Sequence, residues 1–111
     1  MILYHISDKR SWSRAINTGS YLPDAYPVDG FIHCSTSSQL LAVAKRFYAS
    51  RDDLVLLTID GESVASPIIL ENLEGGSEQF PHIYGPLNLE AVVKVTAFFQ
   101  DAAGDFHLPV N

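Results

Sequence analysis

Residues 30–40 have the sequence GFIHCSTSSQL, which joins a short apolar strand to the start of a helix. The segment FIHC (31–34) is apolar enough for a buried strand. Thr36 and Gln39 have the spacing of a capping box, in which the two side chains satisfy free backbone N–H groups at a helix start. This stretch therefore predicts a strand that leads into a well-signalled helix, with His33 between the two.

The residues before this stretch predict one strand, one helix and one loop. ILYHI (2–6) alternates well enough for a strand. Ser7 or Asp8 can cap a helix that ends at Gly19. The apolar positions of that helix are Trp12, Ala15 and Ile16. SYLPDAYPVDG (20–30) is expected to be a loop, because it contains two prolines and a closing Asp-Gly.

The residues after Gln39 predict the rest of a helix and then a series of strands. The inward positions of the helix are Leu40, Ala44, Phe47 and Tyr48. The expected strands are DLVLLTID (53–60), PIILE (67–71), FPHIYG (80–85), LEAVVKVTAFF (89–99) and DFHLPV (105–110). DLVLLTID is apolar on both faces, which favours a central strand. In LEAVVKVTAFF, alternate residues share one face of the strand; these are Val93, Val95, Ala97 and Phe99.

These elements together predict an α+β fold of about six short strands, with two helices in the N-terminal half. The 111 residues suffice for one domain, residues 1–111, with one core. No Gly-x-Gly-x-x-Gly and no Gly-Lys-Ser/Thr occurs, so a dinucleotide-binding Rossmann site and a P-loop are both disfavoured.

Charge and composition narrow the classes of partner. The net charge of −6 with neutral histidines repels a phosphate backbone and disfavours a nucleic-acid partner. No apolar run is long enough to span a bilayer, so no membrane partner is expected. No secretory signal precedes the first strand, and Cys34 is the single cysteine, which excludes an internal disulfide. Both observations predict a protein of the reducing cytoplasm.

His33 is the first candidate site residue. Neighbouring side chains on a strand point to opposite faces, so His33 and Cys34 cannot form a catalytic pair, and Cys34 is expected in the core. His33 precedes a helix start, where backbone N–H groups and the Ser35 hydroxyl could bind an anion or a ribose hydroxyl. The alternative is a core histidine that donates to a backbone carbonyl.

His82 and Tyr84 are two residues apart and share one face of FPHIYG. Pro81 stiffens this segment, which suits either a site or a packed edge strand. Glu71 ends the strand PIILE and is either a solvated group or a pocket acid. His5 alone favours a core role. His5, His33, His82 and Glu71 are suitable zinc ligands, but no metal-binding spacing supports a metal site.

The pieces LYHI, GFIHCSTSSQ, LVLLTID, ILE and FPHIYGPL, in that order, resemble the domain-of-unknown-function 952 family of small bacterial proteins. The resemblance covers nearly the whole chain. It implies a fold similar to that of ADP-ribosyltransferases, in which a split antiparallel or mixed sheet holds a nicotinamide dinucleotide in a cleft between its halves.

The resemblance also implies roles for particular residues. In that fold the first strand supplies a His or Arg that holds the adenosine ribose, and His5 stands there. A second strand supplies a Tyr or His and a Ser, which are matched by His33 and Ser35. A late strand supplies the catalytic Glu, for which Glu71 is the nearest candidate. The segment IHCS is also similar to RNA 2′-phosphotransferases, although their phosphate-binding arginines have no match here.

The sequence leads to one functional expectation and two alternatives. The first is an enzyme that acts on NAD, ADP-ribose or a 2′-phosphorylated ribose; NAD is a candidate substrate, and the sequence specifies no cofactor with certainty. Its catalytic residues are Glu71 and His82, and its ligand-binding residues are His5, His33, Ser35 and Tyr84. The alternatives are a non-catalytic module that binds a nucleotide or a protein tail, and a structural protein whose histidine network only supports the fold. The sequence specifies no oligomeric state.

Overall fold

The structure is a computed structural model that describes residues 1–109. Its strands are β1 (Ile2–Asp8), β2 (Ser20–Tyr21), β3 (Ile32–His33), β4 (Leu54–Asp60), β5 (Ile68–Glu71), β6 (Phe80–Ile83), β7 (Leu87–Asn88) and β8 (Val92–Ala97). Its α-helices are α1 (Lys9–Thr18), α2 (Tyr26–Asp29) and α3 (Leu40–Phe47). None of the helices in this part of the chain is long and apolar enough to cross a membrane.

The strands form two three-stranded sheets and one two-stranded ribbon. The strand orders are β1-β4-β8, β3-β6-β5 and β2-β7, and every pairing is antiparallel. The α+β class is therefore confirmed. The central position of DLVLLTID is also confirmed, because β4 lies between β1 and β8 and its Leu56, Leu57 and Ile59 are fully buried.

The two larger sheets meet at β1. The backbone N–H of Tyr4 donates to the carbonyl of Ser35 at 2.8 Å, and the N–H of Ser35 donates to the carbonyl of Tyr4 at 2.8 Å. One strand thus has β4 on one side and the segment that follows β3 on the other. Both backbone polar groups of Tyr4 at this edge of β1 are thus satisfied without a full neighbouring strand.

Apolar side chains pack on both faces of the β1–β4 pair. On one face Leu3, Leu57 and Ile59 contact Ala15 of α1, together with Tyr21, Ile83 and Leu87 from the other strands. On the opposite face Ile6, Leu54 and Leu56 contact Leu40 and Ala44 of α3, together with Phe98 and Phe106. Both helices therefore cover the same sheet from opposite sides.

The segment 20–30 is not a simple loop, and this prediction was wrong. It contains β2 and the short helix α2, which raises the count within residues 1–109 to three helices and eight strands. Proline is compatible with the first turn of a helix, where its missing N–H would have no partner, so Pro27 does not prevent α2. Gly30 ends α2 with a left-handed φ of 80°.

The start of α3 and the exposure of one apolar side chain on each of α1 and α3 also differ from the prediction. The N–H of Thr36 donates to the Gln39 side chain at 3.0 Å, but the Thr36 hydroxyl pairs with Ser38, so only half of the capping box forms. Phe47 is 59% exposed and Ile16 is 60% exposed, although both were expected to face inward.

The C-terminal part departs from the expected strands. Val93 and Val95 do share a face, but they are 59% and 40% exposed because β8 is an edge strand that α1 does not cover. Residues 105–109 form no strand, and Val110 lies outside the described residues. Phe106 instead stacks on Phe98, with ring centroids 4.8 Å apart, which anchors this segment to the core.

Replacement of a central core residue tests this packing. Leu57→Ala is expected to lower the free energy of unfolding by about 2–5 kcal/mol, because it leaves a cavity between β4 and α1. Val93→Ala removes an apolar side chain from the exposed face of β8 and should change it by less than about 0.5 kcal/mol. Urea denaturation followed by circular dichroism compares the two. Equal losses would contradict the placement of the core.

Candidate functional site

A cleft of about 630 Å³ lies between α3 and the ends of the strands that meet near β1. Its polar wall is formed by His33, Glu71 and His82, and its other walls come from α3 and from residues 72–78. This volume is in the range of small-molecule sites. Four of the six expected site residues therefore line one cavity: His33, Ser35, Glu71 and His82.

Glu71 and His82 are brought together by the pairing of β5 with β6. The Nδ1–H of His82 donates to Oε2 of Glu71 at 2.8 Å. The hydroxyl of Tyr84 donates to the same oxygen. Because a carboxylate accepts both bonds, the Nδ1 atom of His82 carries a proton, and in the neutral ring Nε2 is left with its lone pair.

The two donors fix the charge of Glu71. Hydrogen bonds from Tyr84 and then His82 hold the pKa of the Glu71 carboxyl below its usual value. The same bond to Glu71 raises the pKa of the Tyr84 hydroxyl. Glu71 is thus an anion at neutral pH, and it can orient His82 and stabilise positive charge, but it has no proton to donate.

The Nδ1 atom of His82 is bonded to Glu71, and its Nε2 atom has no hydrogen-bond partner among residues 1–109. Its ring stacks on Phe31 with centroids 3.9 Å apart and an interplanar angle of 19°, and the residue is only 5% exposed. Across the same residues the one enclosed side-chain polar atom without a partner is Thr58 Oγ1, so Nε2 is not fully enclosed, and His82 is one of the residues that line the cleft. A buried imidazole held at one nitrogen and open at the other can accept or donate a proton there.

His33 lies directly across the ladder from His82. The two residues are register partners on β3 and β6, and their ring centroids are 5.4 Å apart. Nε2 of His33 donates to Oδ2 of Asp29 at 3.0 Å, and its side chain is 58% exposed. Each of the two histidines is thus paired with its own carboxylate.

The expected anion site beside His33 does not form. Helix α3 begins at Leu40, seven positions after His33, so its free N–H groups are not adjacent to the histidine. The backbone N–H of Ser35 is already bonded to the Tyr4 carbonyl. The buried side chain of Ser35 does line the cleft. The intervening residues 36–39 make a turn, which the capping-box pattern placed inside the helix.

His5 and Tyr84 lie outside the cleft lining. Nδ1–H of His5 donates to the carbonyl of His33 at 2.6 Å, and Nε2 accepts from the hydroxyl of Tyr21 at 2.7 Å. His5 is therefore a core residue that supports the backbone of His33, not a ribose contact. Tyr84 is bonded to Glu71 and does not line the cleft, so its expected role as a direct ligand-binding residue is unsupported.

Several residues of the cleft were not found from the sequence. They are Asp29, Arg46, Phe47, Glu74 and Glu78. The spacing of four between Asp29 and His33 was the one available signal, and it was hidden because the helix α2 was taken as a loop. Among residues 1–109 no three His, Cys, Asp or Glu side chains are grouped closely enough to hold a metal ion.

The pH dependence of stability tests the role of His5. Burial lowers the pKa of His5 to about 4, below the unfolded value of about 6.5. The folded state therefore favours the neutral ring, and its contribution to stability is complete above pH 6.5 and is lost as pH falls toward 4. Between pH 7 and pH 5 the free energy of unfolding should drop by about 2 kcal/mol.

Urea denaturation at several pH values measures this loss, and NMR titration of the His5 ring gives its midpoint directly. In His5→Gln the slope between pH 7 and pH 5 should largely disappear. If that variant fails to fold, the NMR midpoint alone decides. A midpoint near 6.5 in the folded protein would contradict the assignment.

Tyr84→Phe tests the electrostatics of Glu71. Loss of the hydroxyl donor should raise the pKa of the Glu71 carboxyl toward its usual value, as measured by carbon NMR of the side-chain carboxyl. Tyr26→Phe is the matched control, since Tyr26 is also partly buried and is not a donor to Glu71. An unchanged midpoint in Tyr84→Phe would show that the hydroxyl does not stabilise the anion.

Known proteins resemble this chain at the level of family and fold. The X-ray crystal structure of protein CC0527 from Caulobacter crescentus is similar over 97% of this chain and 95% of that chain, with 29% identity and a TM-score of 0.86. The solution NMR structure of CC0527 is similar over 94% of this chain and 90% of that chain, with 30% identity and a TM-score of 0.81. No curated protein matches this chain. Residues 6–95 match the family described as "Protein of unknown function (DUF952)", and the chain belongs to that family.

Proposed function

We propose that this protein is an enzyme that acts on a nucleotide-type small molecule, with NAD, ADP-ribose and a phosphorylated ribose as the candidate substrates. The observation that carries the proposal is the Glu71–His82 pair, in which a buried imidazole is oriented by an anionic carboxylate and opens to a cleft through Nε2. A base held by a third group in this way is typical of catalytic sites.

The proposal includes an ADP-ribosyltransferase-like arrangement of the sheet. Two antiparallel sheets meet at β1, and the cleft lies beside their junction, where that fold would place a dinucleotide. A shared fold alone does not give a function, so the proposal rests on the chemistry of the cleft. Fold resemblance only selects which substrates are tested first.

Each side chain has a definite task in the proposed reaction. With NAD, the C1′–N bond breaks and its electron pair moves to the nicotinamide nitrogen. An oxygen of water or of an acceptor hydroxyl bonds to C1′, and its proton passes to Nε2 of His82. Glu71 remains ionised and stabilises both the positive charge on the sugar and the protonated His82 ring.

The remaining residues bind and position the substrate. Oε1 of Glu71 accepts no hydrogen bond from residues 1–109, so it is open to a ribose hydroxyl. His33 and Ser35 line the cleft and contact ribose hydroxyls. Tyr84 and His5 act indirectly, the first by fixing Glu71 and the second by fixing the backbone of His33.

Glu71→Gln separates catalysis from binding. Turnover should fall by at least about 100-fold, because the neutral amide cannot stabilise the positive charge that develops in the transition state. The dissociation constant should change by only a few fold. Chromatographic detection of released nicotinamide over a long incubation measures turnover, and NMR shifts at His33 and Ser35 with NAD or ADP-ribose measure binding.

Glu90→Gln is the matched control, because Glu90 is an exposed carboxylate remote from the cleft lining, and it should leave both quantities unchanged. Full activity of Glu71→Gln would exclude the assigned role. Binding without product in the native protein would instead identify a non-catalytic module. No shifts at millimolar ligand, together with unfolding of His82→Ala, would identify a structural network.

A further inference from the structure

We propose that the cleft selects an organic cation, meaning a positively charged nitrogen covered by methyl groups or held in an aromatic ring. This rests on the proposed function, since it names the charge of the ligand group taken by the same cleft. It is carried by the combination of aromatic rings, excess carboxylates and an open buried imidazole in one cavity.

Aromatic rings supply the first part of the argument. The cleft is lined by Tyr4, Phe31, Phe47, Tyr48 and Phe80. The faces of such rings carry negative charge density and attract cations within about 6 Å. Phe47 is 59% exposed, and the guanidinium carbon of Arg46 lies 5.0 Å from its ring centroid. The guanidinium cation of Arg46 therefore already contacts one aromatic ring of the cleft lining, that of Phe47.

The charge balance of the lining points the same way. Four carboxylates, from Asp29, Glu71, Glu74 and Glu78, face one arginine, Arg46. Asp29 and Glu71 are paired with histidines, whereas Glu74 and Glu78 form no ion pair within residues 1–109. A cavity lined by one sign of charge concentrates ligands of the opposite sign. Among the proposed substrates this charge balance favours NAD, which carries a cationic ring, over ADP-ribose and a phosphorylated ribose.

The loop that carries the two unpaired carboxylates is held by one side chain. Oδ1 of Asn72 accepts from the N–H groups of Glu74 at 2.8 Å and Gly76 at 3.1 Å. Nδ2 of Asn72 donates to the carbonyl of Glu78 at 2.6 Å. Glu74 and Glu78 therefore lie on a turn that the Asn72 side chain holds at the cleft.

A second observation independent of the carboxylates points to a ligand. His82 is 5% exposed, and its Nε2 atom has no hydrogen-bond partner among residues 1–109. Because Nε2 is not fully enclosed, a ligand in the cleft can form a hydrogen bond with it. The cavity thus offers an open hydrogen-bonding nitrogen beside aromatic and anionic walls.

The test compares cations with neutral molecules of the same shape. The planar pair is 1-methylnicotinamide and nicotinamide, and the compact pair is choline and 3,3-dimethyl-1-butanol. Dissociation constants come from NMR titration at low salt. The cation of at least one pair should bind at least about tenfold more tightly than its neutral partner. The pair with the larger ratio shows whether the cation is aromatic or aliphatic.

Variants connect that preference to the cleft. The double variant Glu74→Gln with Glu78→Gln should reduce the cation preference at least threefold, and Phe47→Leu should weaken cation binding by a similar factor. Glu90→Gln should leave both unchanged. Equal binding of cation and neutral partner in both pairs, or no binding of either, would overturn the inference.

The outcomes also separate this inference from the proposed function. A preference for cations without any turnover of NAD would support the inference and contradict the proposed enzymatic action on NAD. Turnover of NAD that depends on Glu71, together with equal binding of charged and neutral partners, would support the proposed function and contradict the cation selectivity.

Discussion

The candidate site depends on three hydrogen bonds that join β1 to the segment around Ser35. Two are the backbone bonds between Tyr4 and Ser35, and the third runs from the buried ring of His5 to the carbonyl of His33. They fix β3 against the first sheet, and the β3–β6 register then places His82 opposite His33. Apolar packing of Ile83 against Leu3 and Leu57 also holds the two sheets together, and the hydrogen bonds at the junction fix the segment that carries His33 and Ser35 beside β1.

Environment gives two buried histidines opposite roles. His5 lies between a carbonyl and the Tyr21 hydroxyl, with no anion in contact, so burial dominates and lowers its pKa to about 4. His82 is equally buried but is bonded to an ionised carboxylate and has one nitrogen open to the cleft. The first arrangement locks a neutral ring into the architecture. The second orients the ring of His82 through Nδ1 and leaves Nε2 without a protein partner.

The sequence predicts best those features that neighbouring residues determine. Asp8 caps α1 and Gly19 ends it in a left-handed conformation, as local capping rules require. β4 is central because its residues are apolar on both faces. The arrangement of the candidate site was harder to predict from the sequence. Glu71, His33 and His82 do line one cleft, but the position of His5 outside it follows from the Tyr4–Ser35 junction, which no local pattern encodes. Asp29 was missed because a short helix with a proline in its first turn resembles a loop.

For NAD as the proposed substrate, the charges of the cleft would restrict its orientation. A dinucleotide such as NAD carries a cationic ring at one end and phosphates in its middle. The carboxylates and aromatic rings of the cleft suit the ring and repel the phosphates. Arg46 is exposed and is the one cation of the lining, so phosphates would be accommodated on its side. The cationic ring would then face Glu71 and His82, where the glycosidic bond must lie for these residues to act on it.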